Sequence, residues 1–127
     1  MTTQRPRVLL VEDNPALAES IQFALMTFGL DVVGPLDSNA ESTKVLTSAS
    51  VDVAILDLDL GHETSIPTAK RLRNAGIPFL IMSGHDMEDE VPAEFQAEVC
   101  LPKPVDPEIL VETIRELLEM SGVRNPA

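Results

Sequence analysis

The sequence predicts a doubly wound α/β domain, a parallel sheet with helices on both faces, and two observations carry that prediction. Five short apolar runs alternate with five segments that carry helical spacing or helix-capping residues, the pattern of successive strand–crossover–strand units. The central runs are continuous in hydrophobicity instead of alternating, as expected for strands buried on both faces. A chain of 127 residues, 44% hydrophobic and 24% charged, has the size and composition of one ordinary globular domain. One domain is therefore expected over residues 1–127, with a core at about 7–121 and a short tail at 122–127.

The first strand is expected at Arg7 to Val11, ending on Glu12-Asp13. Asn14-Pro15 then opens a helix, with Asn14 as N-cap and Pro15 at the first helical position. Leu17, Ile21, Ala24, Leu25 and Phe28 recur at helical spacing, and Gly29 is placed to end that helix. A short second strand is expected from Asp31 to Gly34, and Ser38 with Glu41 matches a capping box for a weakly amphipathic helix running to about Ser48.

Val53 to Leu56 forms the third strand and stops on Asp57-Leu58-Asp59-Leu60-Gly61. A polar loop, Gly61 to Thr64, leads to a helix from about Ser65 to Asn74, with Pro67 in its first turn and Ala69 and Leu72 inward. Pro78 to Met82 is the fourth strand, ending on Ser83-Gly84-His85. Asp86 to Phe95 is expected as a helix interrupted by Pro92, followed by a fifth strand from Glu98 to Leu101 that ends on Pro102-Lys103-Pro104. Asp106-Pro107 caps a last helix carrying Ile109, Leu110, Ile114, Leu117 and Leu118, and Gly122 closes it.

Composition narrows the function. A formal charge of −12, from 21 acids against 9 bases, argues against direct nucleic-acid binding, which depends on neutralising phosphates with Lys and Arg. Tryptophan and tyrosine are absent, and with them the usual base-stacking platforms. No apolar run approaches the roughly 18 residues that span a membrane, so no membrane association is expected. The N-terminus lacks a signal-peptide pattern, and a single cysteine excludes an internal disulfide; both fit a cytoplasmic location.

Parallel strands point one way, so the groups at their carboxyl ends gather at one edge of the sheet, where ligands bind in such folds. That edge would hold Glu12, Asp13, Asp57, Ser83 and Lys103. Each has an ordinary structural role available: cap, turn residue or solvated lysine. Their coincidence at the right strand ends favours chemistry. Two carboxylates at about 4 Å repel by about 4 kcal/mol at an effective dielectric near 20, so crowded acids either retain a proton or hold a cation. An all-oxygen site with room for water and a phosphoryl group suits Mg²⁺. His62 and His85 have no spacing that pairs them as ligands, so zinc is not expected. Asp57 is then a candidate nucleophile that forms an acyl phosphate, with Lys103 and Ser83 stabilising phosphoryl oxygens and Gly84 leaving space for the incoming group.

The order Glu12-Asp13, Asp57, Ser83 and Lys103-Pro104 resembles the receiver domain of two-component response regulators, over nearly the whole chain. Asp57-Leu58-Asp59-Leu60-Gly61, Pro78-Phe79 and Ser83-Gly84-His85-Asp86 look like a group of small receivers that often stand alone. The resemblance implies sheet order 2-1-3-4-5 and a cis bond between Lys103 and Pro104. It implies phosphorylation of Asp57 by a histidine kinase or a histidine phosphotransfer protein. Asp13 and Asp57 would hold Mg²⁺, helped by Glu12 through water and by the backbone carbonyl of Asp59. With no output domain after the last helix, output is expected through contacts with an unidentified downstream protein, the default surface being the fourth helix, fifth strand and fifth helix. A homodimer is left open.

Two positions depart from the family pattern. Cys100 stands where the family usually has a switch aromatic three residues before the lysine; its expected role is that of a small buried hydrophobe. Asp59, two residues after the acceptor, adds a carboxylate that would alter how water reaches an acyl phosphate. Two other readings compete. Asp57-Leu58-Asp59 resembles the aspartate pair of haloacid-dehalogenase-type phosphatases, but those enzymes carry the pair on their first strand, with Thr or Val where Gly61 stands here. A receiver fold used only as an unphosphorylated binding module is the other.

Overall fold

Continuous apolar strands need both faces covered, and the computed structural model, which describes residues 5–84, 91–95 and 98–122, shows how the sheet meets that need. The strands are β1 (Arg7–Val11), β2 (Asp31–Leu36), β3 (Val53–Asp57), β4 (Phe79–Ser83) and β5 (Val99–Pro102). All pair in parallel, in the order β2-β1-β3-β4-β5. Four α-helices lie among the described residues: α1 (Pro15–Thr27), α2 (Asn39–Ser48), α3 (Ile66–Ala75) and α4 (Pro107–Ser121).

Side chains alternate between two cores. Val8, Leu10, Val53, Ile55, Leu80 and Met82 face α1 and α4, where they meet Ile21, Leu25, Leu110 and Ile114. Leu9, Val11, Ala54, Leu56, Phe79 and Ile81 face the other way, against Ala69 and Leu72 of α3 and Phe95. Every residue of β3 and β4 is buried, including Asp57 and Ser83 at their carboxyl ends. The sheet thus delivers these two polar groups into a nearly dry layer.

Helix ends follow local chemistry. The Asn14 side chain accepts from the amides of Ala16 and Leu17, and Asp106 accepts from Glu108, each followed by proline at the start of its helix. The expected capping box is half made: Ser38 Oγ accepts from the Glu41 amide at 3.2 Å, but the Glu41 carboxylate takes the Asp37 amide at 3.4 Å.

Several boundaries differ from the sequence expectation. The second strand continues past Gly34 to Leu36, because a register shift between Leu9 and Val11 absorbs Gly34-Pro35, whose peptide bond is cis. Gly34 has φ +117°, and a Cβ there would lie 2.7 Å from the Leu10 carbonyl oxygen, so glycine is required. Phe28 falls beyond the last turn of α1 and is exposed, with the Arg115 guanidinium 5.1 Å from its ring. Ile109 is also exposed; the buried stripe of α4 is Leu110, Val111, Ile114, Leu117 and Leu118, about 100° around the helix from it. Of the helix expected at Asp86 to Phe95, residues 86–90 lie outside the described residues, and Ala93–Phe95 forms a 3-10 turn. His85, residues 96–97 and the tail at 123–127 are likewise outside them.

The last helix is held by one face only, so its docking is separable from the site. Ile114→Ala is expected to cost about 2–4 kcal/mol in urea unfolding, as for a fully buried branched side chain. A loss below about 1 kcal/mol would show that α4 is not packed on the sheet.

Candidate functional site

The carboxyl ends of β1 and β3 bring three acids together. Glu12, Asp13 and Asp57 each offer a carboxylate oxygen within 4.8 Å of the others. Glu12 and Asp57 are buried, and Asp13 is exposed at the rim. Lys103, just past β5, reaches in from the far side of the sheet. Its Nζ lies 3.0 Å from Asp57 Oδ2 and 3.4 Å from Glu12 Oε1. Backbone pairing fixes this reach, since the Lys103 amide donates to the Ser83 carbonyl at 2.9 Å. The peptide bond after it, Lys103–Pro104, is cis.

Electrostatics follow from this crowding. Glu12 retains its proton up to about pH 7, against an ordinary value of 4.5. Burial is the largest cause, followed by the hydrogen bond and charge of Asp57; the Asn14 amide at 3.1 Å from Oε2 and the Lys103 charge pull the other way. Burial alone would lower the pKa of Lys103. The hydrogen bond and charge of Asp57, followed by Glu12, outweigh it and raise the value, so Lys103 stays charged. Among the described residues Glu12 Oε1 meets no hydrogen-bond donor in good geometry, and the Lys103 ammonium lies 3.4 Å from it as an ion pair. Three acids sharing one ammonium form a donor set of hard oxygens only, which fits Mg²⁺ and not a metal that prefers nitrogen or sulfur.

Ser83 is buried at the end of β4, one residue beyond Met82, the register partner of Asp57. Gly84 follows it, and a Cβ there would meet nothing within 4 Å. The Asp59 amide donates to Asp57 Oδ1 at 3.3 Å, while its carboxylate turns away to accept the Gly61 amide at 2.8 Å. Cys100 departs from expectation: on the edge strand β5 it is exposed, although enough of the thiol is covered for desolvation to raise its pKa, with the Glu98 charge adding to it. An edge strand has a neighbour on one side only, which the apolar run alone does not reveal.

Some participants escaped the sequence reading. Asn14 was assigned as a cap, yet its amide also holds Glu12. Gly61 has φ +84°, and a Cβ there would sit 3.3 Å from Asp13 Oδ2, so the loop after β3 packs directly on the acidic cluster. Asn39 and Glu63 join that loop to α2, with the Asn39 amide 2.7 Å from Glu63 Oε2. Long-range contacts of this kind have no periodic signal.

A family model described as the response regulator receiver domain matches the chain over residues 8–115. The chain belongs to this family. It is 30% identical over 126 residues to the transcriptional regulatory protein GlrR of Escherichia coli K12, covering 96% of the chain and 28% of that protein. It is 33% identical over 117 residues to the regulatory protein VirG of Agrobacterium tumefaciens, covering 89% of the chain and 43% of VirG. The chain thus spans about a quarter to less than half of these relatives. The solution structure of SdrG from Sphingomonas melonis Fr1 superposes with a TM-score of 0.78 at 29% identity, covering 92% of the chain and 99% of SdrG. Receivers are signalling switches of two-component systems, and the sheet order and packing here are those of that fold. Among the described residues, no helix is long and apolar enough to cross a membrane.

The raised Glu12 pKa sets a pH dependence for the metal-free receiver. Between pH 4.5 and about 7 the folded chain holds a proton that the unfolded chain has released, so stability falls as pH rises through that window. Glu12→Gln removes this loss. In thermal unfolding with chelator, the variant is expected to match wild type near pH 4.5 and exceed it at pH 8, by on the order of 2 kcal/mol. Parallel pH curves for the two proteins would contradict the assignment.

Proposed function

We propose that Asp57 accepts a phosphoryl group from a phosphohistidine donor, a histidine kinase or a histidine phosphotransfer protein, and that the phosphorylated receiver signals through contacts with a downstream protein. The observation that carries this reading is the 3.0 Å pairing of Lys103 with a buried Asp57 beside two further acids. In the transfer, an Asp57 carboxylate oxygen forms the new P–O bond as the donor P–N bond breaks. The bonding pair leaves on the imidazole nitrogen, which takes up a proton from solvent.

Asp13 and Asp57 would hold Mg²⁺ directly, with Glu12 acting through water and the backbone carbonyl of Asp59 completing the protein ligands. When bound, the ion offsets the charge of the carboxylates and of the transferring phosphoryl oxygens. Lys103, already charged and half-buried, neutralises another phosphoryl oxygen, and the Ser83 hydroxyl donates to a third. The open space at Gly84 leaves room for the group. The chain assists its own phosphorylation and dephosphorylation only; it turns over no separate substrate. In this reading the place of action is the cytoplasm.

Acetyl phosphate tests this reading without the cognate kinase. Intact-mass measurement is expected to show one phosphoryl group per wild-type chain with Mg²⁺, little without it, and none on Asp57→Asn. An unmodified wild type, or equal modification of Asp57→Asn, would overturn it.

A further inference from the structure

The loop between β3 and α3 carries two features that bear on the metal: the Asp59 carbonyl and the Gly61 contact with Asp13. Its own bonds give it a shape. Ser65 donates to the Leu58 carbonyl at 3.0 Å, Leu60 to the Glu63 carbonyl at 2.9 Å, and Gly61 to Asp59 Oδ1 at 2.8 Å; Asp59 also bridges to Thr64. Bonds internal to a loop fix its form but not where it sits relative to Asp13, which is on a different connection.

That placement comes from outside. At the start of α2, Asn39 donates its amide to Glu63 Oε2 at 2.7 Å and its Nδ2 to the Thr64 carbonyl at 2.8 Å. Its Oδ1 accepts from Thr68 Oγ1 at 2.6 Å and from the Thr68 amide at 3.3 Å, and Thr68 is buried. The Asn39 amide also holds the Glu63 carboxyl below its ordinary range, which keeps that acceptor charged. Ser38 Oγ caps α2 through the Glu41 amide, and Glu63 takes the Asn39 amide, a first-turn donor that the helix leaves open; the Asn39 side chain bonds outside α2, to Thr64 and to the first turn of α3. One residue thus joins the start of α2 to the loop residues Glu63 and Thr64 and to Thr68 in the first turn of α3, 24–29 positions away.

We infer that Asn39 is a positioning residue for the metal site: through Glu63, Thr64 and Thr68 it holds the β3–α3 loop so that the Asp59 carbonyl and the Asp13 carboxylate can serve one divalent cation. The inference rests on the magnesium-dependent reading above. Because Gly61 lies against Asp13 with no side chain between them, a shift of the loop passes directly into a ligand.

The test uses the full chain with Asn39→Ala, which removes the side-chain bonds to Thr64 and Thr68 and leaves the backbone amide bond to Glu63, and with Ser38→Ala as a variant that weakens α2 but leaves all of these bonds in place. Mg²⁺ affinity is read by calorimetry, the acetyl phosphate reaction at saturating Mg²⁺ by intact mass, and amide exchange of Leu60 and Gly61 by NMR on metal-free protein. Asn39→Ala is expected to weaken Mg²⁺ binding by about tenfold or more, to leave the rate at saturating Mg²⁺ unchanged, and to speed exchange at Leu60 and Gly61. Ser38→Ala is expected to lower the melting temperature without changing either the affinity or the exchange. Unchanged affinity in Asn39→Ala, unchanged exchange, or an equal loss of affinity in both variants would overturn the inference. Failure of the parent reading is recognised separately, since wild type would then bind no Mg²⁺ at all, and it overturns the inference with it.

Discussion

The structure depends on an unequal meeting of charges: three carboxylates and one ammonium group at the carboxyl edge of a buried sheet. Lys103 lies within ion-pair distance of both buried acids, 3.0 Å from Asp57 and 3.4 Å from Glu12. A single positive charge cannot balance three negative ones in a site this dry. The imbalance appears in two places, as a proton retained on Glu12 to about pH 7 and as one ammonium shared between Asp57 and Glu12. A small divalent cation would relieve both, and would also offset the negative charge that a transferring phosphoryl group would bring.

The fold makes this imbalance possible and keeps it local. Parallel strands aim their ends at one edge, and the two apolar cores on either side of β3 hold Asp57 at the limit of the dry layer. Two of the acids and the lysine are tied at a second point: Glu12 by the Asn14 amide, Asp57 by the Asp59 amide and the Lys103 amide by the Ser83 carbonyl. Repulsion among the acids is therefore borne by a rigid frame instead of being relieved by movement of the loops.

Much of this was legible in the sequence because it is periodic or punctuated. Continuous runs such as Val53 to Leu56 marked strands buried on both faces, and Asn14-Pro15 and Asp106-Pro107 marked helix starts at the right residues. The convergence of Glu12, Asp57, Ser83 and Lys103 on one edge followed from strand direction alone. What was not legible lay in irregular backbone and long-range polar contact. A bulge let β2 run through Gly34-Pro35, past the end expected at Gly34. Cys100 was expected as a small buried hydrophobe, yet it is exposed on β5, an edge strand. Ile109 and Phe28 matched the hydrophobic pattern but sit off the buried stripe or past the helix end. The Asn39 contacts join residues 24–29 positions apart, and only a folded chain displays them.

One divalent cation would complete the acidic cluster. Calorimetric titration with Mg²⁺ near pH 7, repeated in two buffers of different ionisation enthalpy, tests this most directly. One ion per chain should bind with release of protons, and Asp13→Asn should weaken or abolish the binding. Absence of binding by the wild type, or equal affinity in the Asp13→Asn protein, would contradict the account.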